Sequence, residues 1–355
     1  MGDWLGRTIE LDVTNIAHGG VSVARHDGRV VFVADAIPGE RVLARVSSDS
    51  KKTFWRAETV EVLEASPHRQ PHVWDAAALD RDPVDRAGGA EFGHIELAHQ
   101  RELKRQVITD SLARMARIER DVTVEVVPGD DDRAGTGWRT RVRLHVDETG
   151  RPGPFAARSH RVIPVTRLPL ATAELEASAP LGERFDGYES VDVLNPSTGG
   201  VRLIVGNQKP SVITERVGER EFRLADSGFW QVHRGAAATL TEAVQSAIDP
   251  ELFDPQAANL DLYGGVGLLA AAVADRFGPS TRITSVESDA TATDFAAENL
   301  SEWLGARAET GRVERWVAAL AASAGPSERE RLARATVVLD PPRAAPTTQT
   351  LPPAT

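Results

Sequence analysis

The sequence predicts an α/β fold: a parallel, doubly wound sheet from residue 226 onward, preceded by a small β-barrel and an α+β middle segment. Three observations predict it. Short runs of alternating apolar and polar residues crowd residues 5–67, with turn signals between them. A glycine-rich turn, Tyr263-Gly264-Gly265-Val266-Gly267, joins the apolar run 259–262 to an alanine-rich helical pattern. Two further apolar runs end in acids, at Glu287 and at Asp340, with helical stretches between them.

Composition narrows the class. A chain of 355 residues with 41% hydrophobic and 26% charged residues is long enough for two or three ordinary cores. A net charge of −11 argues against non-specific coating of nucleic acid and leaves room for a local basic cleft. There are no cysteines, so disulfides, thiolate metal sites, iron–sulfur clusters and a cysteine nucleophile are excluded from this chain. No apolar run approaches a membrane span, and no basic stretch precedes an apolar one near Met1. A cytoplasmic monomer with no membrane partner and no metal is expected.

In chain order, residues 8–13, 28–33, 41–46 and 57–63 read as strands, with turns at 26–28 and 37–40. This spacing suggests a barrel of the OB type. Lys51 and Lys52 stand beside Phe54, Trp55 and Arg56, which suits phosphate contact with base stacking. A solvated loop with Trp55 capping the barrel fits equally well. The stretch Ile16-Ala17-His18-Gly19-Gly20-Val21-Ser22-Val23-Ala24-Arg25, followed by the 28–33 strand and Ile37-Pro38-Gly39-Glu40, resembles a TRAM domain. The resemblance implies an RNA-binding barrel over residues 1–66.

Residues 67–85 read as a linker rich in Pro, His and Asp. Leu103, Val107, Ile108, Leu112 and Met115 fall at helical spacing, predicting a helix over 97–118 that is available to pack on the C-terminal domain. Residues 137–146 read as a strand that puts Arg139, Arg141 and Arg143 on one face. That row suits an RNA phosphate track, or simply a charged, solvated sheet face. Further β-like runs to 225 complete an α+β central domain, 67–225.

In the last domain, 226–355, the glycine turn lacks the Lys-Ser/Thr of a P-loop. With an acid some twenty residues on, it fits either a dinucleotide or another adenosine cofactor. A strand is expected over 312–317. The strand ending Leu339-Asp340-Pro341-Pro342 is similar to the fourth strand of class I methyltransferases, and it favours S-adenosylmethionine over NAD.

Together these segments resemble the TRAM-bearing RNA uracil-C5 methyltransferases. The resemblance implies a Rossmann-like class I methyltransferase sheet with Gln231, Tyr263, Gly265, Gly267, Glu287 and Asp340 around the cofactor. It implies an RNA partner, with 23S ribosomal RNA favoured over transfer RNA. Where the family carries four cluster-binding cysteines this chain has Arg81, Ala87, Ala90 and Leu168, so no iron–sulfur cluster is expected. The family's nucleophilic cysteine and its basic glutamate have no counterpart, so no catalytic residue is assigned. The Pro-, Thr- and Ala-rich tail after Asp340 offers no further strands, and a C-terminally truncated sheet of strands one to four, inactive by itself, is the expectation. A non-catalytic RNA-binding protein with a residual cofactor pocket is the alternative.

Overall fold

In the computed structural model, which describes residues 4–342, the N-terminal alternation closes into a five-stranded barrel. Its strands are β1 (Thr8–Ile16), β2 (Ser22–His26), β3 (Arg29–Ala34), β4 (Arg41–Ser48) and β5 (Phe54–Glu64). They run in the order β1-β2-β3-β5-β4, and β4 pairs back to β1. Alternate residues point inward, so Leu11, Val31, Val33, Val42, Val46 and Ala57 form the core. Trp55 belongs to that core at 3% exposure, against Trp4 at 5.1 Å and beneath the Arg29 guanidinium at 4.5 Å. It caps the barrel and cannot stack on RNA.

Helix α1 (Leu97–Ser111) runs into a π-helical turn, Leu112–Ala116, which ends where Arg117 takes a left-handed φ of 57°. Its packing residue Leu103 is buried with Ile16, Ile37 and Ile95, which fastens the helix to the barrel. A second sheet, ordered β7-β6-β8-β9, is built from β6 (Arg141–Val146), β7 (Pro152–Gly153), β8 (Ser190–Leu194) and β9 (Arg202–Val205). With α2 (Ala173–Ser178) it encloses Leu144, Leu175, Val191 and Val193.

The chain divides into two compact units. One takes residues through Asn195 with Val201–Gln208, and the other takes Pro196–Gly200 with residues from Lys209. The hairpin β10 (Val212–Val217) and β11 (Arg220–Ala225) therefore lies in the second unit, which differs from the sequence boundary at 225. The reason is an anchor at Arg220. Its guanidinium pairs with Asp275 at 2.6 Å and with Glu302, and lies 4.2 Å from the Trp303 ring.

The rest of the second unit alternates helix and strand: α3 (Ala236–Ala247), β12 (Asn259–Leu262), α4 (Leu268–Phe277), β13 (Ile283–Glu287), α5 (Ala290–Asn299), β14 (Ala306–Thr310), α6 (Val313–Ser323), α7 (Pro326–Leu332) and β15 (Val337–Leu339). The four strands pair in parallel in the order β14-β13-β12-β15. The strand expected at 312–317 is a correction: those residues open α6, and the strand is 306–310. Val313, Trp316 and Val317 follow helical spacing, and Val313 joins Leu260, Leu262 and Val286 in the core. The Pro- and Thr-rich tail from residue 343 lies outside the described residues.

Candidate cofactor site and nucleic-acid interface

The site is set by strand register. Leu262 of β12 faces Val286 of β13 and Leu339 of β15, so the residues just beyond them emerge at one edge. Those residues are Tyr263 and Gly264, Glu287, and Asp340. The backbone N–H groups of Tyr263 and Gly264 donate to the Val286 carbonyl at 2.9 and 3.1 Å, and the Asp340 N–H lies 3.4 Å from the Leu262 carbonyl. In an open parallel sheet, ligands bind at the carboxyl ends of the strands.

Each glycine of the turn has its own reason. Gly264 lies against Ser285 and Asp261, where a Cβ would collide with the Ser285 hydroxyl. Gly265, at φ 55°, faces open space and leaves room for close approach to its backbone. Gly267, at φ 87°, caps the start of α4. Tyr263 also adopts a left-handed φ of 66°, and its hydroxyl donates to Glu314 at 3.1 Å. Glu287 Oε2 accepts from the Gly265 N–H at 3.1 Å, while Oε1 accepts from the N–H groups of Ser288 and Asp289. The acid at the end of β13 is thus fixed against the turn.

Asp261 is the residue that sequence reading missed. It is fully buried beneath the turn, and Oδ2 accepts from Ser285 Oγ at 3.1 Å and from the Ala270 N–H at 3.2 Å. Among the described residues its Oδ1 has no hydrogen-bond partner. Burial pushes its carboxyl up to about 6, against those two hydrogen bonds, and the neighbouring Asp340 and Glu287 charges push the same way. The available signal was a carboxylate between Leu260 and Leu262, inside a short strand directly before the glycine turn.

Gln231 follows Trp230, which is buried against Phe222 at 5.6 Å between ring centres. Among the described residues no hydrogen bond joins Gln231 to the glycine turn. Gln245 of α3 does reach α4, donating to the Ala272 carbonyl at 2.9 Å.

The residues expected to face RNA stand in different settings. Lys51 and Lys52 are exposed in the loop before β5. Arg143, however, is held by a bidentate pair with Asp192, 2.7 Å at each nitrogen, because the two face each other across β6 and β8. Arg139 precedes the strand and lies 4.9 Å from the Trp138 ring; burial lowers its pKa. Arg141 is half-buried. The three arginines form no uniform, open row.

Ala87, Ala90 and Leu168 sit in one buried apolar cluster with Trp74, and Arg81 is exposed. None of the four side chains Arg81, Ala87, Ala90 and Leu168 can ligate iron, so these positions do not fit an iron–sulfur cluster. Among the described residues no helix is long and apolar enough to cross a membrane.

A glycine turn facing acids at the carboxyl edge of a parallel sheet, in a chain that also carries a small closed barrel, defines the class: a methyltransferase fold of class I with an appended barrel. Residues 4–60 match the TRAM domain model. An uncharacterized RNA methyltransferase of Streptomyces avermitilis is 34% identical, with 96% of this chain and 84% of that protein aligned. A namesake from Bifidobacterium longum is 31% identical over 82% of this chain and 72% of its own length. The chain therefore belongs to this family of RNA methyltransferases and carries a TRAM domain. The fold is shared with the tRNA (uracil-54, C5)-methyltransferase of Pyrococcus abyssi, solved with S-adenosyl-L-homocysteine. The TM-score is 0.60 at 17% identity, covering 85% of this chain and 79% of that one.

Proposed function

We propose that the second unit binds S-adenosylmethionine and that the chain is of the RNA uracil-C5 methyltransferase type, directed to 23S ribosomal RNA. The observation that carries the cofactor reading is the meeting of the Gly265 backbone, Glu287 and Asp340 at one sheet edge. The residues fit the group. A Cβ at Gly265 would meet nothing within 4 Å, which leaves its backbone open to a ligand; Glu287 can accept from ribose hydroxyls, and carboxylates favour a cationic sulfonium. When bound, the cofactor supplies an electrophilic methyl group. Tyr263, Gly267 and Gln231 complete the proposed pocket.

The same residues do not supply a full uracil reaction. Uracil C5 becomes nucleophilic only after addition at C6, and the family uses a cysteine thiolate for that addition. This chain has none. A second reading follows from that fact: the 355-residue chain holds RNA and cofactor without turnover. The test is incubation with methyl-labelled S-adenosylmethionine and transcripts of 23S ribosomal RNA and transfer RNA. Both ligands should bind, the ribosomal transcript more tightly, with no label in 5-methyluridine. Label in 5-methyluridine would refute inactivity, and label in any other base would refute the uracil-C5 assignment.

A further inference from the structure

The barrel carries aromatic residues on the wrong side for a core. On the outer face, one row crosses the strands as Asn15, Val23, Phe32 and Arg56, set by the pairs Asn15 with Val23, Val23 with Phe32, and Phe32 with Arg56. The next outward row is Arg25, Val30 and Phe54. Phe32 and Phe54 meet edge to face at 5.3 Å, and the Arg56 guanidinium lies 5.8 and 5.9 Å from their centres. Solvent-facing positions of such a strand are ordinarily polar. Beside this platform lies a groove of about 460 Å³ between the barrel and the C-terminal end of α1. That size is within the range of clefts that take small ligands, about 300–1,000 Å³. Its floor is Ile16, Val23, Phe32 and Val107, and its rim carries Arg25 and Arg114. One carboxylate lines it, Asp110, which pairs with Arg114 at 3.4 Å.

We propose that this groove and platform hold a nucleotide of single-stranded RNA, its base against Phe32 and its phosphate between Arg25 and Arg114. The inference rests on the RNA reading above and locates the contact on outward phenylalanines instead of Trp55. An aromatic face beside guanidinium groups suits a base and its phosphate together, since stacking needs a π surface and the backbone needs cations. The extended strand could continue over Phe54 toward Lys51 and Lys52.

The experiment is fluorescence anisotropy of a labelled oligouridine of about 12 nucleotides, within the usual reach of such a barrel, titrated with the whole chain at several salt concentrations. F32A should weaken binding about 5- to 100-fold, as expected for loss of one stacked base, while F32W retains it. R25A/R114A should flatten the slope of log affinity against log salt by about 1.4, for two single-strand phosphate contacts. Circular dichroism and melting temperature should stay at the wild-type values, since these side chains point outward. Wild-type binding that neither change alters would overturn the groove and assign it to another class of partner, leaving the RNA reading intact. A wild-type chain that binds neither oligouridine nor a ribosomal transcript would overturn that reading and this proposal with it.

Discussion

Glu287 accepts a hydrogen bond from the Gly265 N–H at 3.1 Å, which ties the acidic end of one strand to the glycine turn of its neighbour. The carboxylate is held by two further N–H groups, from Ser288 and Asp289. It therefore meets a ligand already oriented. Removing it takes away a charge-assisted acceptor, a contact worth about 1.5–3 kcal/mol. E287A should weaken S-adenosylmethionine binding by about 10- to 100-fold in calorimetry, with E287Q intermediate. An unchanged affinity would remove Glu287 from the site.

The neighbouring glycines should respond differently to the same methyl group. In G264A the new Cβ strikes Ser285 and Asp261, so the second unit should lose about 1–3 kcal/mol of stability from overpacking. In G265A the Cβ meets nothing, and only the left-handed backbone costs, about 1–2 kcal/mol. Cofactor affinity, however, should fall in G265A through lost approach to the backbone. Urea unfolding and cofactor titration of both variants separate the two effects.

Asp261 gives the second unit a pH dependence of defined sign. Its carboxyl titrates at about 6 when folded, against 3.8 for an unburied aspartate, so the native state binds the extra proton between those values. Its contribution is fully present below about pH 4 and is lost as pH rises to about 6. D261N, which carries no titrating group, should lack that decline. Melting curves from pH 4 to 7 for both proteins check it; parallel curves would contradict the assignment.

Strand β15 has a sheet neighbour only on its β12 side among the described residues, and Val337 and Leu339 are 46% and 55% exposed. An apolar edge that the described residues leave unpaired can template association. The chain should aggregate as concentration rises, and V337K/L339E should suppress this in light scattering without weakening cofactor binding. Equal scattering from both proteins would show that the edge is not the cause.

The cofactor edge was legible in sequence because strands of a parallel sheet read as apolar runs: Glu287 ends the buried β13 and Asp340 ends Val337-Val338-Leu339, so both acids stand out as terminators. Strand β14 was not. Arg307 and Glu309 break its apolar pattern, and the apolar positions of the following helix took its place. The pairing of Arg143 with Asp192 depends on strands 49 residues apart, which no local pattern reports. Trp55 and Phe54 were indistinguishable as stacking candidates until barrel closure fixed which one points inward. Asp261 was visible as a charge between Leu260 and Leu262, but its burial under the turn was not.

The most direct test of the account is calorimetric titration of the purified chain with S-adenosylmethionine and, separately, with NAD. Saturable binding of S-adenosylmethionine at one site, weakened in E287A and G265A, with no heat from NAD, is the predicted result. Absence of saturable S-adenosylmethionine binding to the folded chain, or tighter binding of NAD, would contradict it.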